Sequence, residues 1–191
     1  FSSNLVSVTS RIFFIYLSLT LLIFSIFLIS GIRLFDSLNL TMTVVSSGGF
    51  LPTDSLNDII RNNFQSLLLS FGFLIAILNY YLLYNVILGR GNLKEHKEDI
   101  YIIVLVLVFS MIFYFINDLN LSSVFINVLS SIGTSGISTG AIPENFGLYF
   151  IILTLFGGSV LSTTSGLKFL RIYILIKAFL MEIYKLVKPN V

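Results

Sequence analysis

Two short stretches of this sequence place oxygen-bearing and conformationally permissive residues between long apolar runs. The first, VVSSGGFLPTDS, extends from Val44 to Ser55, and the second, LSSIGTSGISTGAIPEN, from Leu129 to Asn145. Ser46, Ser47, Gly48 and Gly49 are consecutive in the first, and Gly133, Thr134, Ser135 and Gly136 in the second. Glycine adopts backbone conformations closed to other residues, so successive carbonyls can be turned toward one axis. Carbonyls so arranged replace a cation's hydration shell, and the serine and threonine hydroxyls could line the same path. The chemistry these residues suggest is cation selection.

The surrounding sequence determines where such a site would have to lie. Hydrophobic residues make up 56% of the chain and charged residues only 10%, against roughly 25% charged in soluble domains. The runs Ile12–Ser30, Phe64–Leu88, Ile100–Asn117 and Asn145–Leu167 are free of charge, and about 20 such residues suffice to cross a bilayer. The first run is too long for a signal-peptide core and lacks a small-residue cleavage site, so it is read as a retained span. A net charge of +2 gives no basic surface for nucleic acid, and the absence of cysteine excludes disulfides, thiol catalysis and cysteine-ligated metals. No cofactor is expected. The first residue is Phe1 rather than methionine, which leads to the expectation of a fragment or a processed product.

Nine of the eleven Lys and Arg residues fall at Arg11, in the loop Gly89–Asp99, or at and beyond Lys168. The positive-inside rule then puts the N-terminus, the middle loop and the C-terminal tail in the cytoplasm, in a multi-pass protein of the inner cell membrane. Both glycine–serine stretches enter from the opposite face. Before each lies a segment too short to span, Ser37–Val45 and Leu119–Ser131, with Asp36 or Ser37 and Asp118 or Asn120 available to cap a short helix. The chain therefore reads as an internal repeat, 1–91 and 92–191, each half a span, a re-entrant half-helix, an extended filter-like turn and a second span. Backbone outside a helix at membrane depth must be buried in protein or line a watery cavity. The half-helices would aim their negative carbonyl ends at the membrane centre. The fold class is an all-α membrane protein of tandem pore repeats.

A third stretch, GGSVLSTTSGLKFLR, interrupts the last apolar run. Gly157, Gly158, Ser162, Thr163, Thr164, Ser165 and Gly166 fall within ten residues, followed by Lys168 and Arg171. So many small and polar residues exceed what a Gly-x-x-x-Gly packing face needs, and they point to a broken helix at 157–166. Its place beyond the second filter suggests a gate. Lys168 and Arg171 would either contact that gate or snorkel to the inner interface. The charged run KEHKED around His96 reads as a solvated turn, and Asn79 and Asn85 as interhelical hydrogen-bond partners.

At these residues the sequence resembles the Trk/Ktr/HKT superfamily of potassium transporters, specifically the Trk-type membrane subunit. MTVVSSGGFLPTD is similar to the second filter of that family and SSIGTSGISTG to its third, which places Gly49 and Gly136 at the characteristic filter glycines; Ile137 stands where an aromatic is expected. NYYLLYNVILGRGNLK, from Asn79, is similar to the segment leaving the second repeat, GGSVLSTTSGLKFLR to the intramembrane loop of the third, and KLVKPN, from Lys185, to the lead into the fourth. The resemblance implies potassium uptake by half of a four-repeat pore, with K+ held by filter carbonyls and the remaining repeats elsewhere in the full chain. It also implies a homodimer in the lipid bilayer and a cytoplasmic nucleotide-binding regulatory subunit.

Two other readings compete. Discontinuous helices also build ion sites in secondary transporters of other folds, though these do not require paired half-helices. GTSG, Gly133–Gly136, matches the Gly-x-Ser-Gly of rhomboid-type intramembrane proteases, with Ser135 as nucleophile. Such a serine needs a base within hydrogen-bond reach. The single histidine, His96, precedes it and falls on the opposite side by topology, so no enzyme is expected.

Overall fold

The structure, a computed structural model, describes residues 2–87, 97–117, 119–140 and 144–187. Among the described residues the regular structure is helical, apart from one two-residue pair of strands. Helix α1, Ser2–Ile29, and helix α5, Lys97–Ile116, are long and apolar enough to cross a membrane. Each is followed by a short helix, α2 over Leu34–Ser46 and α6 over Leu121–Ile132, whose lengths of about 20 and 18 Å fall short of a bilayer core of about 30 Å. Helices α3, Asn63–Ile77, and α4, Tyr80–Ile87, complete the first repeat, while α7, Gly147–Leu155, and α8, Phe169–Val187, complete the second. The expected boundary between repeats, Gly91 to Asn92, lies outside the described residues, as do His96, Asp118 and Lys188–Val191; nothing is described of the Asn85 side chain.

The long helices bury only a stripe. On α1, Ile15, Leu19, Ile23 and Phe27 recur every fourth residue and are buried, while Phe13, Phe14, Leu21 and Ile29 are exposed. On α5 the buried set is Asp99, Ile102, Val106, Ser110 and Phe113, and Leu107, Val108, Met111 and Phe115 face outward. Exposed apolar surface on this scale is a liability in water and ordinary in lipid. The pore helices behave differently: Val124, Ile126, Asn127, Val128, Leu129, Ser130 and Ile132 of α6 are all buried. Helix α6 packs most extensively against α3, so the two repeats share one core.

The helix starts depart from the sequence expectation. Helix α2 begins at Leu34, before Asp36 and Ser37, and no side chain caps it. Asp36 instead lies within the first turn, buried, and accepts a hydrogen bond from Arg33 Nε at 2.8 Å; there a carboxylate also opposes the positive end of the helix dipole. Asn120 does precede α6, but its side chain makes no capping bond. The run Phe64–Leu88 is not one helix either. It breaks at Leu78, and Asn79 Oδ1 accepts the N–H groups of Tyr81 and Leu82 at 3.0 and 3.3 Å. Asn79 therefore caps α4 and does not bridge helices through its side chain.

Candidate functional site

The two glycine–serine stretches fold into the same turn. Ser47 and Thr134 have φ of 54° and 56°, and Gly49 and Gly136 both have φ of 72°. Between them, Gly48 and Ser135 have negative φ and donate their N–H groups to the carbonyls five residues back, Thr43 at 3.1 Å and Ser130 at 2.9 Å. This is the closure of a helix that ends in a left-handed residue. Left-handed backbone costs an ordinary L-residue about 1–2 kcal/mol, and each turn adopts it twice within three residues. Alternating left-handed and ordinary conformations turns successive carbonyls to one side of the chain, the arrangement that a carbonyl-lined cation site needs.

The turns meet. A Cβ on Gly49 would collide with the carbonyl oxygen of Ser135, so the first turn packs its glycine directly on the backbone of the second. Gly48 and Gly133 are also close-packed, with Cβ positions 2.9 Å from Ser46 Oγ and from the Leu129 carbonyl. Different side chains brace the two turns from behind. Thr43 Oγ1 donates to the Phe50 carbonyl at 2.5 Å in the first. In the second, Asn127 donates to the Thr139 carbonyl at 3.1 Å and accepts its N–H at 2.8 Å. Asn127 is 1% exposed. Neither brace is singled out by the sequence, because Thr43 and Asn127 share the buried faces of their half-helices with other polar residues, Ser37 and Thr41 on α2 and Ser122 and Ser130 on α6.

Ser46 Oγ returns to the Met42 carbonyl at 2.6 Å, and Thr134 Oγ1 to that of Gly133 at 2.7 Å. Ser135 Oγ lies 2.9 Å from Ser130 Oγ and 3.3 Å from its carbonyl. These partners hold the Ser135 hydroxyl within the turn. Ile137, where the resemblance leads one to expect an aromatic, is buried at 4% exposure.

Below the second turn the chain leaves α7 and does not resume a helix until Phe169. Strands β1, Phe156–Gly157, and β2, Leu167–Lys168, pair in parallel and close the intervening residues into a knot. Lys168 Nζ occupies its centre. It donates to the carbonyls of Ser162 and Thr164 at 3.1 and 2.5 Å and lies 3.1 and 3.4 Å from their hydroxyls. Thr164 Oγ1 also accepts the N–H of Gly158 at 2.9 Å. These bonds supply partners to part of a backbone that has no helical ones, as membrane depth requires. Gly166 takes φ of 78°, and the Gly157 Cβ position is 2.5 Å from the Ser165 carbonyl, so neither admits a side chain without displacement. Arg171 is exposed on α8, outside the knot.

The knot is tied both to the second filter turn and to the first repeat. Ser165 donates its N–H and hydroxyl to Thr134 Oγ1 at 3.1 and 2.6 Å. Ser159 N–H donates to the Ile77 carbonyl at 3.0 Å, and Tyr80 N–H to that of Leu161 at 3.4 Å. Thr163 Oγ1 lies 3.1 Å from the Tyr80 hydroxyl. The loop thus occupies the gap where α3 breaks from α4, and Gly158 has no room for a Cβ against the Ile77 carbonyl. Among the described residues no group of three or more His, Cys, Asp and Glu side chains could hold a metal ion.

No protein-family model matches the chain. An uncharacterized cation transporter of Methanocaldococcus jannaschii is 26% identical over 185 residues, covering 94% of this chain and 38% of that protein. The Trk system potassium uptake proteins TrkH of Salmonella typhimurium and Escherichia coli are each 28% identical over 177 residues, 84% of this chain and 36% of theirs. The crystal structure of the potassium transporter TrkH from Vibrio parahaemolyticus superimposes with a TM-score of 0.83 at 22% identity, over 97% of this chain and 43% of that one. The chain spans well under half the length of these relatives. Over 84% of its own length it is similar in sequence to Trk system potassium uptake proteins, and over 97% it shares the fold of a solved potassium transporter TrkH.

Proposed function

We propose that this chain forms two of the repeats of a potassium-uptake pore, with Ser46–Gly49 and Gly133–Gly136 as adjoining quarters of the selectivity filter. The observation that carries the reading is the matched backbone of the two turns, left-handed at Ser47 and Gly49 and again at Thr134 and Gly136, with the first glycine seated on the second turn's carbonyl. K+ is the transported substrate, coordinated in passage by backbone carbonyls, with selectivity arising from their number and spacing. The knot Phe156–Lys168 is the gate: it is tied to the filter through Thr134 and closes the path beneath it. Arg171 borders it on the cytoplasmic side.

The distribution of Lys and Arg supports an orientation with the N-terminus of this segment, the connection between repeats and the tail in the cytoplasm. The repeat boundary is taken at 91 and 92. The remaining repeats of the full chain complete the ring, and by resemblance to Trk-type subunits the whole protein works as a homodimer under a cytoplasmic nucleotide-binding subunit.

The test is rubidium influx into proteoliposomes of the full-length protein, with and without residues Ser159–Ser165. Influx that competes with K+ and rises when the loop is deleted is the expected outcome. A stably folded deletion that is no leakier removes the gate assignment. Influx competed equally by Na+ and K+ removes the potassium assignment.

A further inference from the structure

The first turn of α5 sets two consecutive carboxylates against both broken inner helices. Asp99, buried, accepts the N–H of Asn79 at 3.1 Å, at the point where α3 gives way to α4. Glu98 accepts the N–H of Val160 at 3.1 Å and also that of Leu170. Val160 belongs to the entering limb of the knot and Leu170 to the first turn of α8, so a single carboxylate spans both limbs. Each amide lacks a helical acceptor: Leu170 because the first N–H groups of a helix have none, Val160 because its helix has ended. Hydrogen bonds from amides to an ionised carboxylate are about twice as strong as neutral ones. Lys168, at the centre of the knot, adds an attractive charge nearby.

We propose that Glu98 is a positioning residue that holds the gate loop in its obstructing conformation, while Asp99 anchors the turn carrying it to the break in the other inner helix. This rests on the reading of Phe156–Lys168 as the gate. The turn follows directly on the connection between the repeats, so a displacement of that connection reaches the loop through one side chain. The regulatory input is mechanical and enters at the start of α5.

The test uses the full-length protein and two variants, Glu98→Gln, which keeps an acceptor oxygen and the side chain's shape, and Glu98→Ala. Two quantities are measured: amide hydrogen exchange over 156–170 and rubidium flux in proteoliposomes. Exchange confined to that segment is expected to rise about tenfold in Glu98→Ala and by less in Glu98→Gln, with flux rising in the same order, as for loss of a charge-assisted bond. A rise spread over α5 and α6 would indicate general destabilisation and overturn the positioning role. Unchanged exchange in both variants would overturn it as well. Exchange that rises in the loop while flux stays constant upholds Glu98 as its anchor and removes the gate reading.

Discussion

The two repeats share a backbone at the filter and differ in almost everything that supports it. In the first, a threonine braces the turn by one bond, the outer span packs through a stripe of Ile15, Leu19, Ile23 and Phe27, and the inner helix breaks over two residues, Leu78 and Asn79. In the second, an asparagine braces the turn by two bonds, and Phe113 packs on Phe146, Tyr149 and Phe150 with ring centroids 5.3–5.7 Å apart. Its inner helix is interrupted from Phe156 to Lys168. On the proposed reading the two turns keep one geometry because their carbonyls face the same ion, while the scaffold around them is free to diverge and in the second repeat carries the interrupted helix proposed as the gate.

The repeats part most sharply at the glycines. In Gly49→Ala the new methyl meets the Ser135 backbone, which no rotamer change relieves. Gly136→Ala meets nothing within 4 Å among the described residues and carries only the cost of left-handed backbone, about 1–2 kcal/mol. Rubidium flux in the full-length protein is expected to fall about a hundredfold or more in the first and roughly tenfold in the second. Equal losses would mean that the two turns are not in direct contact.

Much of this architecture was legible in the sequence because lipid leaves the backbone few choices. A bilayer accommodates charge-free runs, short helices and glycine-rich turns in few ways, which brings out the two stretches, while the choice of Gly49 and Gly136 within them comes from the resemblance. The α3–α4 break was not legible. FLIAILNYYLL contains neither glycine nor proline, and the break is stabilised from outside, by Ser159 on the Ile77 carbonyl and Asp99 on the Asn79 amide. Glu98 and Asp99 were hidden in the same way, since a charged run beside a span reads as solvated until the gate loop is folded against it. The sequence leaves Lys168 open between snorkelling and gate contact, and in the structure its Nζ is held by the carbonyls of Ser162 and Thr164.

The braces separate the repeats by a smaller margin. Asn127→Ala removes two buried bonds and leaves the Thr139 amide and carbonyl open, for an expected loss of about 2–4 kcal/mol; Thr43→Val removes one, for about 1 kcal/mol. Thermal unfolding in detergent ranks them, and a larger loss at Thr43 would reverse the assignment of the second turn as the more tightly built.

The inner-helix breaks should separate stability from flux. Lys168→Met removes the donor at the centre of the knot, so rubidium leak is expected to rise severalfold. Asn79→Ala removes only a helix cap, worth about 0.5–2 kcal/mol, and flux should hold. A leak in Asn79→Ala without one in Lys168→Met would move the gate to the first repeat. Smallest of all is Lys185→Ala on α8, which loses an exposed pair with Glu182 at 3.1 Å and should change stability by less than about 0.5 kcal/mol.

Whether the two turns face one ion can be seen by anomalous diffraction from crystals of the full-length protein grown with thallium in place of potassium. A peak is expected within coordination distance of carbonyls from both Ser47–Gly49 and Thr134–Gly136. Thallium bound away from both turns, in protein that still transports it, would show that they do not share an ion.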